Sequence, residues 1–235
     1  MTRVAIVTGA ASGIGRATVA RLTELGVQVA ALDKDLDTGP DGVNVDISDA
    51  ESVDRAVAHV RSSLGPVDIL VNAAGVAAGA ALDGERFVDE WHKALDVNLT
   101  GAMLMVRACL SDLVASGAGR IVNVASTEAL AASRLTTPYT VSKHGLLGFT
   151  RSLSVELGRH GVTANCVCPG ATLTGMTEAI PEADRETFAR RHIPVRRYGR
   201  PEEIAFMIAS LTAVEASFVN GAVIAVDGGM TARGD

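Results

Sequence analysis

Tyr139 and Lys143 stand four residues apart in a segment of helical period, and Ser126 lies thirteen residues before the tyrosine. Residues four apart share a helix face, so this trio offers a proton donor or acceptor, a cation to tune it, and a hydroxyl to hold a carbonyl oxygen. A free tyrosine titrates at about pH 10, too high for an efficient base at neutral pH. Lys143 is expected to lower that value by favouring the phenolate. Ser126 would hydrogen-bond the substrate oxygen where charge develops. With the glycine-rich turn Thr8-Gly9-Ala10-Ala11-Ser12-Gly13-Ile14-Gly15 upstream, the trio points to hydride chemistry on an alcohol or ketone. An ordinary amphipathic helix pair is the plainer reading of Tyr139 and Lys143 taken alone.

Gly9, Gly13 and Gly15, with Ser12 and Ile14 between them, follow an apolar run directly and open a helical segment. That context gives a glycine motif its force: glycine lets the backbone turn tightly and approach a pyrophosphate, which the helix N-terminus then receives. Asp33 ends the second apolar run, 18 residues past Gly15, where a carboxylate accepts from the ribose hydroxyls of an adenosine and repels a 2′-phosphate. Ser12 rather than a base precedes Gly13, and Lys34 is the only nearby cation, so NAD is expected rather than NADP. A solvated strand-end acid is the alternative for Asp33. Asp46, with Ile47 beside it, is placed to reach an adenine amino group or, equally, to cap a helix.

The composition narrows the field. The chain has 235 residues, 48% hydrophobic but only 3% aromatic, so its core is aliphatic, as suits parallel strands buried on both faces. A net charge of −6 gives no reason to expect nucleic acid or an anionic membrane as partner. Acid crowds the stretch from Asp33 through Asp41 to Asp54, and arginine the stretch from Arg185 to Arg200. The three cysteines, Cys109, Cys166 and Cys168, form no paired CxxC motif, which argues against a disulfide framework or structural zinc. Cys166 and Cys168 would share one strand face as small hydrophobes. No HExxH or similar spacing appears, so no metal is expected in the chemistry. No signal peptide is visible. The longest uncharged runs, 69–82 and 161–177, are too short or too polar to span a bilayer. A cytoplasmic protein is the expectation.

Strand-length apolar runs recur at 3–8, 27–32, 43–45, 67–72, 120–125, 162–168 and 222–226, with helix-period segments at 13–25, 49–63, 87–116, 138–159 and 201–213. This alternation predicts one domain over 1–235: a doubly wound, Rossmann-type α/β fold with a parallel sheet of about seven strands and helices on both faces. The irregular stretch 171–200 is a lid candidate over the carboxyl edge, or an ordinary surface excursion.

With these residues in hand, the chain resembles a short-chain dehydrogenase/reductase of the single-domain type. Thr8–Gly15 resembles the family's TGxxxGxG loop, Asn72-Ala73-Ala74-Gly75 its NNAG element, and Tyr139-Thr-Val-Ser-Lys143 its YxxxK motif. Asn98 and Ser126 align with its other catalytic residues. Pro169-Gly170, with Thr172 and Thr174, resembles the segment that contacts the nicotinamide carboxamide. The resemblance implies NAD-dependent, reversible hydride transfer between a secondary alcohol, or a dihydrodiol-like ring alcohol, and its ketone. It gives Asn98, unfavourable mid-helix by propensity, the role of holding a water that relays protons from Lys143; a kink or packing role is the alternative. It also implies a homotetramer or homodimer built on helices 87–116 and 138–159. An NADP-dependent 3-oxoacyl reductase-like activity and a non-catalytic nucleotide-sensing scaffold are the competing readings. Two features depart from the family. Only twelve residues separate Asp33 from Asp46, so the helix after the second strand is expected to be truncated or absent. The substrate-cleft stretch 127–137 matches no named substrate class. The arginines of 185–200 can recognise an acidic substrate, or form a salt-bridged surface with their interleaved acids.

Overall fold

A computed structural model describes residues 2–39 and 42–233; Asp41 of the acidic stretch and residues 234–235 of the C-terminal tail lie outside them. Seven parallel strands run β1 (Val4–Thr8), β2 (Gln28–Asp33), β3 (Val43–Asn44), β4 (Ile69–Asn72), β5 (Arg120–Val124), β6 (Thr163–Pro169) and β7 (Val223–Val226), in the sheet order β3-β2-β1-β4-β5-β6-β7. The helices are α1 (Gly13–Glu24), α2 (Ala50–Ser63), α3 (Phe87–Leu95), α4 (Ala102–Ala115), α5 (Thr137–Leu157), α6 (Gly175–Glu178), α7 (Glu182–His192) and α8 (Pro201–Thr212).

The aliphatic runs make this sheet because alternate residues must be buried on opposite faces. Val4 and Ile6 of β1 pack with Val57, Met105 and Leu153 on one side. Ala5 and Val7 pack with Leu22, Ile204 and Ile208 on the other. Every residue of β1, β4, β5 and β6 is buried. The strand order reverses between β1 and β4, which opens a crevice at the carboxyl ends of those strands. Each candidate motif follows such an end: Gly9–Gly15 after β1, Asp33 at the end of β2, Gly75 after β4, Ser126 after β5 and Gly170 after β6.

The predicted helix 87–116 is interrupted. Asp96–Gly101 is a π-helical turn between α3 and α4, and Asn98 sits inside it with both ends of its amide bonded to the backbone of Val76. A π turn inserts one residue and re-aims the side chains around it; here that bond pair holds the extra residue in place. The whole stretch Phe87–Ala115, 29 residues, is long and apolar enough to cross a bilayer by length and composition, which the run-by-run reading did not anticipate. It packs against α2, α5 and β4, as a core helix does.

Among the described residues no helix lies between β2 and β3, as expected. Asn44 ties the connection into turns instead, donating through Nδ2 to the carbonyls of Lys34 (2.8 Å) and Leu36 (2.9 Å).

Candidate active site

The crevice is a cleft of about 410 Å³ running from Asp33 to Tyr139. At its nucleotide end the glycine turn is closed by backbone contact. A Cβ on Gly9 (φ +69°) would lie 2.7 Å from the Cα of Ala74, and one on Gly15 would lie 2.1 Å from the Gly9 carbonyl oxygen. Thr8 clamps the same junction, its Oγ1 accepting from the amides of Ala73 (3.2 Å) and Ala74 (3.1 Å). Thr8 was not among the expected site residues, although its place as the first residue of the motif was the available signal.

The N-terminus of α1 opens into this end. Ser12 is its N-cap in extended conformation but makes no side-chain cap bond, and the first turn carries no acid. Free N–H donors at the positive end of a helix dipole suit a pyrophosphate. Asp33 faces the same space: its Oδ2 accepts from Ala11 N (3.0 Å) and its Oδ1 from Asp35 N (3.1 Å), so the carboxylate is fixed beside the turn. Asp46 lines the cleft with Ile47. The Ser48 hydroxyl (2.6 Å) and amide (2.9 Å) hold its carboxyl below the usual range. The capping role goes to Asp49, which accepts from Glu51 N at the start of α2. These residues fit a dinucleotide.

At the other end, Ser126 follows β5 and its Oγ accepts from Glu128 N (3.1 Å). Thr137 and Pro138 open α5 and place Tyr139 in its first turn, where it lines the cleft with Ser126. Lys143, one turn on, is 4% exposed. Its Nζ donates to Val124 O (3.0 Å) and lies 5.6 Å from the Tyr139 ring centroid.

The electrostatics differ from expectation. Burial pushes the Tyr139 phenol above its ordinary value; the Ser126 hydrogen bond opposes this and the Glu128 charge adds to it. Lys143 stands over the Tyr139 ring, where a cation favours the phenolate. Its ammonium is committed to the Val124 carbonyl and is itself desolvated, which lowers it to about 8 against the weaker, raising influence of Cys166 and Cys168. The two thiols are buried, share a face as expected, and lie 4.0 Å apart.

Two expected site residues lie outside the cleft lining. Asn72 ends β4 with its side chain behind the wall, donating to Asn123 Oδ1 (2.8 Å), which in turn reaches Thr150 Oγ1 (2.9 Å). It joins β4 to β5, whereas Ala73 and Gly75 line the cleft. Asn98 is also set back, its Nδ2 donating to Val76 O (3.1 Å) and Ser142 Oγ (3.0 Å). Gly75 separates it from Lys143: a Cβ there would be 3.2 Å from Asn98 Oδ1 and 3.3 Å from Lys143 Nζ.

Pro169, Gly170, Thr172 and Thr174 line the cleft as expected, joined by Met176 and Thr177, which sequence reasoning passed over. Thr177 Oγ1 accepts from Thr174 N (3.1 Å) and donates to Thr172 O (2.8 Å), so it braces this segment. The arginines of 185–200 do not line the cleft. Arg190 pairs with Glu186 (3.2 Å), and Arg197 and Arg200 with Glu203 (2.6 and 3.8 Å), the salt-bridged surface. Among the described residues no cluster of three or more His, Cys, Asp or Glu is placed to hold a metal.

A doubly wound parallel sheet with a glycine turn at its switch point, and a Ser–Tyr–Lys group at the far end of one cleft, defines a Rossmann-like α/β protein built for a dinucleotide. The chain belongs to the short-chain dehydrogenase/reductase family of oxidoreductases. Residues 9–231 match the family model described as enoyl-(acyl carrier protein) reductase. The chain is 37% identical over 244 residues to the cis-4-hydroxycyclohexanecarboxylate dehydrogenase of Sinomonas cyclohexanicum, spanning 98% of this chain and 97% of that protein. It is 34% identical over 238 residues to the 3-oxoacyl-[acyl-carrier-protein] reductase of Vibrio harveyi, spanning 97% of each. The ligand-free aldohexose dehydrogenase of Thermoplasma acidophilum superposes with a TM-score of 0.91 at 28% identity, over 99% of this chain and 95% of that one.

Proposed function

We propose that this protein is an NAD-dependent dehydrogenase of secondary alcohols, ring alcohols among them, working reversibly between alcohol and ketone. The observation that carries the reading is that Ser126, Tyr139 and buried Lys143 line one cleft with the Asp33 carboxylate. The bound nicotinamide supplies the hydride acceptor or donor. Ser126 holds the substrate oxygen, and Tyr139 takes its proton in oxidation and returns it in reduction. Lys143 holds positive charge beside the phenol ring, and Asn98 would hold a water that relays protons from Lys143. The glycine turn, the α1 N-terminus and Asp33 hold the adenosine end. The Sinomonas relative, a ring-alcohol dehydrogenase by name, supports the substrate class.

A second reading, a 3-oxoacyl reductase using NADP, draws on the Vibrio relative and on Lys34, which lines the cleft beside Asp33. Asp33→Ser separates the two. Loss of a charged acceptor is worth about 1.5–3 kcal/mol, so the ratio of NAD to NADP affinity is expected to fall by about tenfold or more. The ratio is the proper readout, because Asp33 also fixes Ala11 and any general loosening of the turn weakens both cofactors. Dissociation constants from titration of both variants measure it, and an unchanged ratio contradicts the NAD assignment.

We also propose a homotetramer or homodimer formed through α4 and α5. Met105, Leu146 and Leu147 are spent in the core, but Leu110 (37% exposed) and Val155 (85% exposed) face outward from those helices. Sedimentation at micromolar protein is expected to show an oligomer, and a 24.2 kDa particle would overturn this. The buried, unpaired cysteines suit a reducing compartment, consistent with the cytoplasm.

A further inference from the structure

Glu128 is the one acid between Ser126 and Lys143, and no motif accounts for it. It is half-buried, and its carboxylate gathers four donors: Ser133 Oγ (2.5 Å) on Oε1, with Ser133 N (3.1 Å), Thr140 Oγ1 (2.7 Å) and Thr136 Oγ1 (3.3 Å) on Oε2. Thr136 closes the knot, 2.9 Å from Ser133 O and 3.1 Å from Thr140 Oγ1. The loop so tied contains Leu135 at φ +64°, a left-handed conformation unfavourable for any residue with a Cβ. Residues on both sides of Leu135 are held by the same carboxylate. The two ends of the knot are the chemistry: the backbone N–H of Glu128 donates to Ser126 Oγ, and Thr140 directly follows Tyr139 on α5.

We propose that Glu128 is a positioning residue for hydride transfer, setting the Ser126 hydroxyl through its backbone and the Tyr139 turn and substrate loop through its carboxylate. Its charge has a second effect. Burial opposes its ionisation, but the bonds from Ser133, Thr140 and Thr136 outweigh that and hold the group below the ordinary carboxylate range. It is therefore an anion at neutral pH, and its field adds to burial in raising the phenol of Tyr139. Glu128 thus opposes phenolate formation while it fixes the geometry. The other ionisable groups around this helix turn are Lys143 and His144 on α5, and Cys166 and Cys168 on β6, which act on Lys143. α3 and the π turn, also packed on α5, carry Asp89, Glu90, His92, Lys93 and Asp96.

The kinetic half of this inference rests on the function proposed above; the electrostatic half does not. The chain has two tyrosines, so Tyr198→Phe leaves Tyr139 as the sole phenol, and ultraviolet difference absorbance follows its ionisation without substrate or cofactor. In that background Glu128→Gln removes the adverse charge, and the titration midpoint is expected to move to lower pH. A midpoint that stays or rises overturns the electrostatic half. Thr140→Val keeps the charge and cuts the 2.7 Å tie. It is expected to leave the midpoint in place while kcat/KM for an oxidised ring alcohol falls about tenfold or more, since misplacement of catalytic groups by about 1 Å can cost 10²-fold. In Glu128→Gln the acid limb of the oxidation profile, which rises as Tyr139 loses its proton, is expected to move down in pH. Unchanged kcat/KM in Thr140→Val, with wild-type melting, overturns the positioning role. An inactive wild type with a normal Glu128→Gln titration shift instead overturns the proposed function and leaves the electrostatic half standing.

Discussion

Tyr139→Phe is expected to reduce kcat for alcohol oxidation by about 10²–10⁴-fold, the usual contribution of one positioned acid–base group, while NAD affinity stays within about twofold, well under 1 kcal/mol. The split follows from where the phenol sits. Tyr139 is at the end of the cleft beside Ser126, far in the fold from Asp33 and the glycine turn that hold the adenosine end, and the substitution removes an oxygen and leaves the ring. Ser126 retains its bond from Glu128 N, so the cleft wall is not expected to collapse. The phenol of the free protein is raised by burial, so Lys143, pinned to Val124 O, does not by itself make a ready base. A bound oxidised nicotinamide would add positive charge near the phenol and favour its ionisation. Steady-state rates over pH, with cofactor binding measured separately by titration, check this. Equal losses in kcat and in NAD affinity would mean that Tyr139 builds the cofactor site and does not move the proton.

Gly15→Ala is expected to have the largest effect on cofactor binding. The added methyl would lie 2.1 Å from the Gly9 carbonyl oxygen and 2.6 Å from its carbon, both backbone atoms with no rotamer to yield. Relief requires the turn to open by about 1 Å, a displacement that can cost 10²-fold where geometry decides the interaction, together with about 1–3 kcal/mol of overpacking. Gly148→Ala is the matched control: it also lies in a helix, but nothing stands within 4 Å of its added Cβ, and a mid-helix Gly→Ala change stabilises by about 0.5–1 kcal/mol. Urea denaturation and NAD titration of the pair are expected to show Gly15→Ala less stable and binding at least tenfold more weakly, with Gly148→Ala unimpaired in both. Normal NAD affinity in Gly15→Ala would mean that the turn is not the phosphate cradle.

Much of this was legible in the chain because the signals are local. Aliphatic runs bounded by Gly and Pro place the strands within a residue or two of where β1, β4, β5 and β6 lie, and Pro138 and Pro201 mark the starts of α5 and α8. The glycine turn, Asp33, Ser126, Tyr139 and Lys143 line one cleft because each follows the carboxyl end of a strand or opens the helix beyond it. What was illegible is tertiary. The π turn carries Asn98, whose amide meets Val76 22 residues away, and no helical period records that meeting. Asn72 ends the right strand, but strand alternation turns its amide toward Asn123 and away from the cleft. Spacing brings Lys143 to Tyr139, but it does not record the burial that opposes charge on both groups. Glu128 carries no motif, and its place depends on Ser133, Thr136 and Thr140 closing on it in the fold.

The central claim is that this cleft oxidises secondary alcohols with NAD through Tyr139. The most direct measurement follows nicotinamide absorbance with NAD and with NADP, across cyclic and acyclic secondary alcohols, for the wild type and Tyr139→Phe. The account predicts turnover that prefers NAD, favours ring alcohols and disappears in the variant. Turnover that survives Tyr139→Phe would contradict it.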